Sequence, residues 1–203
     1  MASVDRPDAP KYYDRYAEKF AARYDSVSFE AVHPFLLHFL PESGCALDVG
    51  AGSGRDARAL TNRGLSVTAI EPAAGLRQLG ELQDRRIIWV DDRLPDLTSQ
   101  ASKLGSYDFI LCSAVLMLVG PSALVASFSN MGRLLKSTGR LAINIRDPMT
   151  DEPTDLFFKH TDNDVIAAAT AAGLVCIARS DAEDALGRAS YRWRSFIFAN
   201  QRY

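Results

Sequence analysis

Apolar positions along this chain change their period. Tyr12, Tyr16, Phe20 and Tyr24 recur at every fourth position, which predicts one face of a helix. Residues 29–40 give a second apolar helical segment, with Pro34 expected near its first turn. After Pro41-Glu42-Ser43-Gly44 the pattern becomes an alternation of short apolar runs and amphipathic stretches. The runs at 45–49, 66–70, 87–91, 107–113 and 140–145 are apolar nearly throughout, as strands buried on both faces require. Helices are predicted between them at 55–63, 73–83 and 121–136, with Gly64 closing the first. Pro95 breaks the stretch 92–105, and a short helix is expected after it. This rhythm predicts a doubly wound α/β sheet, mostly parallel.

The C-terminal third reads differently. Residues 147–160 form a long loop, 162–172 an alanine-rich helix closed by Gly173, and 174–179 a strand. A polar loop at 183–190 then leads to a last strand at 191–200 with aromatic alternation. Two strands in succession without a helix between them predict an antiparallel hairpin at the C-terminal edge of the sheet.

With 203 residues, 47% hydrophobic and 24% charged, the chain is large enough for one domain with a full core. A net charge of −2 with interspersed signs argues against a nucleic-acid partner. The segment 1–16 has no apolar core, so no signal peptide is expected. The longest apolar run, 109–120, is too short to span a bilayer. Cys45, Cys112 and Cys176 each lie in an apolar run, are odd in number and form no Cys-x-x-Cys or Cys/His cluster. Free buried thiols in a reducing, cytoplasmic compartment are expected. His33, His38 and His160 show no metal-ligand spacing, so no metal is implied. Nothing in the sequence bears on oligomeric state.

The chemistry concentrates at Ala46-Leu47-Asp48-Val49-Gly50-Ala51-Gly52-Ser53-Gly54-Arg55-Asp56, followed by Ile70-Glu71-Pro72. A strand that enters a glycine loop and then a helix presents backbone N–H groups at the carboxyl edge of the sheet. Glycines allow the tight turn and the close approach of a ligand. Residues 52–57 also fit the dinucleotide fingerprint G-x-G-x-x-A, with Glu71 at the spacing of its ribose-binding acid. Asp48 weighs against that fit, because an anion at the strand end disfavours a pyrophosphate and suits a cationic ligand. The chain is also short for a reductase with a separate substrate domain.

Taken together, these motifs resemble a class I S-adenosylmethionine (SAM)-dependent methyltransferase of the small single-domain type, over nearly the whole chain. Asp48 to Gly54 resembles the family's first motif, and Glu71 the acid that binds both ribose hydroxyls. Asp91 and Asp92 match the third-strand acids beside adenine. Tyr107-Asp108-Phe109-Ile110-Leu111-Cys112-Ser113 resembles the fourth-strand motif, and Leu134-Leu135-Lys136-Ser137-Thr138-Gly139 the turn before the fifth strand, with Ser137-Thr138 in place of the usual proline and glycine. The resemblance implies a Rossmann-like core at 43–203 under an N-terminal helical cover at 1–42, with SAM as cofactor. It implies a cofactor site of Asp48, Gly50, Ala51, Gly52, Gly54, Glu71, Pro72, Asp91, Asp92 and Ser113, with Tyr12 and Tyr16 from the cover. Arg23 is either a solvated surface residue or a partner for the cofactor carboxylate.

The acceptor, a small molecule on this reading, is expected beyond the strand ends near Leu116, Met117 and Arg146. Arg146 either holds an acid of the acceptor or pairs with Asp147 or Asp151. If Arg188, Arg192 and Arg194 form one basic face joined to the pocket, an anionic acceptor follows. A hydroxyl acceptor needs a base, for which Tyr16, Asp147 and His160 are the candidates. Two other readings stay open at this point, an NAD(P)-dependent reductase and a SAM-binding but inactive regulatory partner, since fold does not fix activity.

Overall fold

The computed structural model of the protein describes residues 8–150, 152–188 and 190–201. Seven strands form one sheet: β1 Gly44–Val49, β2 Leu65–Ile70, β3 Ile88–Val90, β4 Tyr107–Ser113, β5 Leu135–Arg146, β6 Leu174–Ala182 and β7 Trp193–Asn200. Their spatial order is β3-β2-β1-β4-β5-β7-β6. The first five are parallel, and β7 runs antiparallel to both β5 and β6. The expected C-terminal hairpin is therefore present, with β7 on its inner side.

Register aligns the strand ends. Val49 pairs with both Ile70 and Cys112, and Ser113 pairs with Asn144. The residues that follow β1, β2 and β4 thus emerge along one rim, together with the end of β5. The chain order reverses between β1 and β4, which opens a crevice at that rim.

Both faces of the sheet are covered. Ile110, Ile143 and Phe198 pack beneath α6 (Leu124–Leu134) and α7 (Asp162–Ala171). Phe109, Leu111 and Ile197 belong to the opposite layer with Leu60 of α4 (Arg55–Asn62). This two-sided burial is why the strands read as continuous apolar runs. Gly64, at φ +92°, closes α4 as expected.

The N-terminal segment departs from the single helical face predicted for it. It forms α1 (Ala9–Asp14) and α2 (Ala17–Asp25), broken at Tyr16, which has φ −133°. The break lets the Asp14 carboxylate accept from the Gly75 N–H at 2.7 Å, at the start of α5 (Ala74–Gln83). That bond satisfies one orphan donor of α5 and anchors the cover. The second expected helix, 29–40, also divides. Ser28 caps α3 (Phe29–Val32), Pro34 falls after it, and a 3-10 turn follows at Leu36–Phe39. Proline lacks the N–H needed to carry one helix through.

Strand β5 starts earlier than expected because Leu135 already pairs with Tyr107. All three cysteines are free, but only Cys112 is buried; Cys45 is exposed and Cys176 half-buried, against the expectation of burial. Cys176 lies on the edge strand β6, where one face meets solvent. Among the described residues no helix is long and apolar enough to cross a membrane, and no cluster of three metal-ligating side chains occurs.

Candidate active site

The glycine loop is held by its neighbours. Gly50 and Ala51 both donate to the Ile70 carbonyl, at 2.8 and 2.9 Å. Gly52 has φ +59°, and a Cβ there would sit 3.4 Å from the Tyr24 ring. Gly54, at φ +86°, allows packing instead, since a Cβ would come within 2.8 Å of Trp89. Gly52 therefore faces the covering helix, while Gly54 lets α4 approach the sheet.

Glu71 lies beneath this loop. Its Oε2 accepts from the Gly52 N–H and its Oε1 from the Ala73 N–H, both at 2.8 Å. Burial pushes its carboxyl up to about 7, against the pull of those two donors and of Arg77. Asp48 is also buried, and its Oδ2 has no partner among the described residues. Burial, with Asp56 and Glu71 nearby, holds the Asp48 carboxyl well above the usual carboxylate range, against Arg55. Asp56 behaves oppositely. Burial opposes its ionisation, but His33 at 3.0 Å and the Arg55 fork at 2.6 and 2.9 Å hold it below the usual range. Asp92 is fixed by the Ser99 N–H and hydroxyl, at 2.8 and 2.6 Å.

The loop from Gly50 to Ser53, with Asp56, Glu71 and Asp92, lines one cavity of about 260 Å³, far more than a single water needs. Its wall includes Gly50 to Ser53, Glu71, Pro72, Asp92 and Ser113 on one side. Tyr12, Tyr13, Phe20 and Tyr24 of the cover close it from above. Toward the other end the wall passes to Met117, Asn144, Arg146, Phe157, Tyr191 and Trp193. A family model described as a methyltransferase domain matches residues 47–143, the span that holds the glycine loop, Glu71, Asp92 and strands β2 to β4. Residues 47–143 are a methyltransferase domain.

Solved structures carry the same fold. A TehB-like SAM-dependent methyltransferase from Corynebacterium glutamicum is 16% identical with TM-score 0.70, over 94% of this chain and 99% of that one. A 1,6-didemethyltoxoflavin-N1-methyltransferase from Burkholderia thailandensis is 19% identical with TM-score 0.69, over 99% and 95%. A geranyl diphosphate C-methyltransferase from Streptomyces coelicolor is 16% identical with TM-score 0.66, over 98% and 89%. Among curated proteins no relative matches the chain.

The methyltransferase cavity does not gather every residue singled out from sequence. Asp48 and Gly54 lie behind its wall rather than on it. Asp91 is off the wall, with an exposed side chain 3.2 Å from Arg77. Tyr16 is 49% exposed and outside the cavity, because the helix breaks at that residue. Leu116 is fully buried in the core below Met117. His160 is buried, with Nε2 at 3.1 and 2.9 Å from the Leu116 and Val119 carbonyls, so that nitrogen carries the proton as a donor. Asp147 pairs with Arg194 at 2.6 Å and Lys159 at 3.1 Å. The wall thus receives none of the three candidate bases. Arg146 is on the wall, but its fork is held by Glu152, with one bond at 2.7 Å; Asp147 offers it only a carbonyl, and Asp151 lies outside the described residues.

Other wall residues escaped the sequence reading. Tyr24 is absent from the expected cofactor site, yet its ring covers Gly52. Asn144, Tyr191 and Trp193 sit at strand ends, and nothing local in sequence marks them. Aromatic alternation near the last strand was the available signal for Tyr191 and Trp193. Asp184 organises the β6–β7 loop. It accepts from the Leu186 and Arg188 N–H groups, from the Arg188 guanidinium and from Trp193 Nε1 at 2.9 Å.

Proposed function

We propose that this enzyme binds SAM between the glycine loop and Glu71 and methylates a small-molecule acceptor seated at the Arg146 and Trp193 end of the cavity. The observation that carries the reading is Glu71, a buried carboxylate bonded to the glycine loop it faces. The donor set fits SAM. Each Glu71 oxygen accepts one N–H and keeps a second lone-pair site for a ribose hydroxyl. The unpartnered Asp48 Oδ2 lies behind the loop, where a bound cation would draw its raised carboxyl toward the ionised form. Arg23 on the wall supplies positive charge for a carboxylate.

SAM, if bound there, would supply a sulfonium-activated methyl group to the acceptor. The chain's own work is orientation and exclusion of water, which in well-aligned reactions contributes roughly 7–11 kcal/mol. Tyr12, Tyr13, Phe20 and Tyr24 roof the cavity, and Asp184 holds the loop that closes its far end. Arrangement as one domain, with 1–42 as its cover, is supported by α1 and α2 lying on that roof. A cytoplasmic setting is supported by three unpaired thiols. The Burkholderia and Streptomyces proteins are named for small-molecule acceptors, which supports that acceptor class here.

Calorimetry with SAM, S-adenosylhomocysteine and NADH tests the cofactor. The two sulfur compounds are expected to bind and NADH not to; NADH binding without SAM overturns the reading. Labelled methyl transfer is expected into the low-mass fraction of a cell extract. Labelling of nucleic acid alone, or SAM binding with no transfer to any fraction, overturns the acceptor assignment.

A further inference from the structure

Resting on that reading, we infer that the acceptor is an uncharged planar ring compound, held by hydrogen bonds from Asn144 and Tyr13. Charge is the first observation. Two guanidiniums reach the acceptor end of the wall, and each is already met by a carboxylate. Arg146 is held by Glu152, with one bond at 2.7 Å, and Arg188 by Asp184 at 2.6 and 2.8 Å. Arg194 is spent on Asp147 and Asp162, and neither it nor Arg192 reaches the wall. The basic face that would have implied an anionic acceptor is thus neutralised. An acid brought here would be desolvated without a free cation to receive it.

A cationic acceptor is disfavoured as well. The Tyr191 ring, a ready cation–π surface, is already engaged by Arg146 at 4.7 Å and Arg188 at 3.8 Å. What remains at this end is flat and apolar, from Trp193, Phe157 and Met117.

Two donors point the same way. Asn144 is 1% exposed and on the wall, and its Oδ1 accepts from the Ser195 hydroxyl at 3.4 Å. That bond leaves the amide Nδ2 facing outward, with no partner among the described residues. The Tyr13 hydroxyl also has no partner among the described residues. Burial and the nearby Tyr24 raise the Tyr13 phenol well above its ordinary value, so it is protonated at neutral pH. Two uncharged donors, flanked by flat apolar surface, suit a carbonyl oxygen or ring nitrogen on an aromatic molecule.

The test uses protein saturated with S-adenosylhomocysteine, titrated calorimetrically with aromatic carboxamides (quinoline-, indole- and pyridine-based) and with the carboxylates of the same rings. Each pair differs in charge but hardly in shape. The carboxamides are expected to bind at least about tenfold tighter than their carboxylates, since the latter bury an unpaired charge. Tyr13→Phe and Asn144→Leu are each expected to weaken the carboxamides about fivefold, the scale of one hydrogen bond, when each variant is first saturated with S-adenosylhomocysteine. Tyr13→Phe keeps the test open if Asn144→Leu fails to fold. Carboxylates binding as tightly as carboxamides, no saturable binding by any carboxamide, or a Tyr13→Phe variant identical to wild type overturns the inference. Failure to bind S-adenosylhomocysteine at all strikes the cofactor reading instead, so the two failures are distinguishable.

Discussion

Glu71 makes the cofactor site sensitive to pH in a way that can be worked out. Its carboxyl sits at about 7 in the folded protein, against 4.5 ordinarily, chiefly because it is buried. Between those values the folded chain holds a proton that the unfolded chain has lost. The stabilisation from this raised group is present at low pH and declines as pH rises through 4.5 toward 7. Binding works in the opposite direction. Ribose hydroxyls donate to the ionised carboxylate, so a bound diol favours deprotonation. At pH 6 a group titrating near 7 is ionised in only about one molecule in ten, and at pH 8 in about nine in ten. Dissociation constants for S-adenosylhomocysteine are therefore expected to be about tenfold weaker at pH 6 than at pH 8, with a proton released on binding at the lower pH. Calorimetry in buffers of different ionisation enthalpy measures both quantities. Glu71→Gln removes the titrating group and one of the two acceptor oxygens, so it is expected to lose part of the slope and about 1.5–3 kcal/mol of affinity at pH 8. Asp48 is a second raised carboxyl beneath the loop, so the slope is not expected to vanish in the variant. A flat wild-type profile, or a Glu71→Gln profile parallel to it, refutes the assignment.

Three further outcomes follow from the same geometry. Gly52→Val places a branched side chain at φ +59° against Tyr24, and the variant is expected to keep its far-ultraviolet spectrum while losing S-adenosylhomocysteine binding in calorimetry. Asp14→Ala removes the acceptor for the Gly75 N–H and is expected to lower stability by about 1 kcal/mol in urea unfolding. Asp184→Ala leaves Arg188 and the Trp193 indole without their shared partner, so acceptor KM should rise while S-adenosylhomocysteine affinity stays within about twofold.

The sheet was legible because burial on both faces leaves an unbroken apolar signature, and β1, β2 and β4 matched within a residue. The glycine loop and Glu71 were legible because strand, turn and acid are contiguous or nearly so. Tyr16 misled because period-four spacing describes an unbroken helix, and nothing local announces that Asp14 turns to cap another helix. The acceptor end was hidden for a related reason. Asn144, Tyr191 and Trp193 come together through the pairing of β5 with β7, and Phe157 joins them from the loop that follows β5. His160 and Asp147 drew notice as titratable groups near strand ends, and their partners, backbone carbonyls and Arg194, are set by tertiary contacts that spacing does not encode.

The placement of β7 inside the sheet bears on synthesis. A ribosome delivers β6 before β7, but β6 has no ladder partner other than β7. Until β7 emerges, β6 waits as an unpaired edge able to join foreign strands. Any truncation ahead of Trp193 would therefore forfeit two strands instead of one. The nascent chain can assemble its glycine-loop half early, whereas the wall that would select its substrate waits for β7.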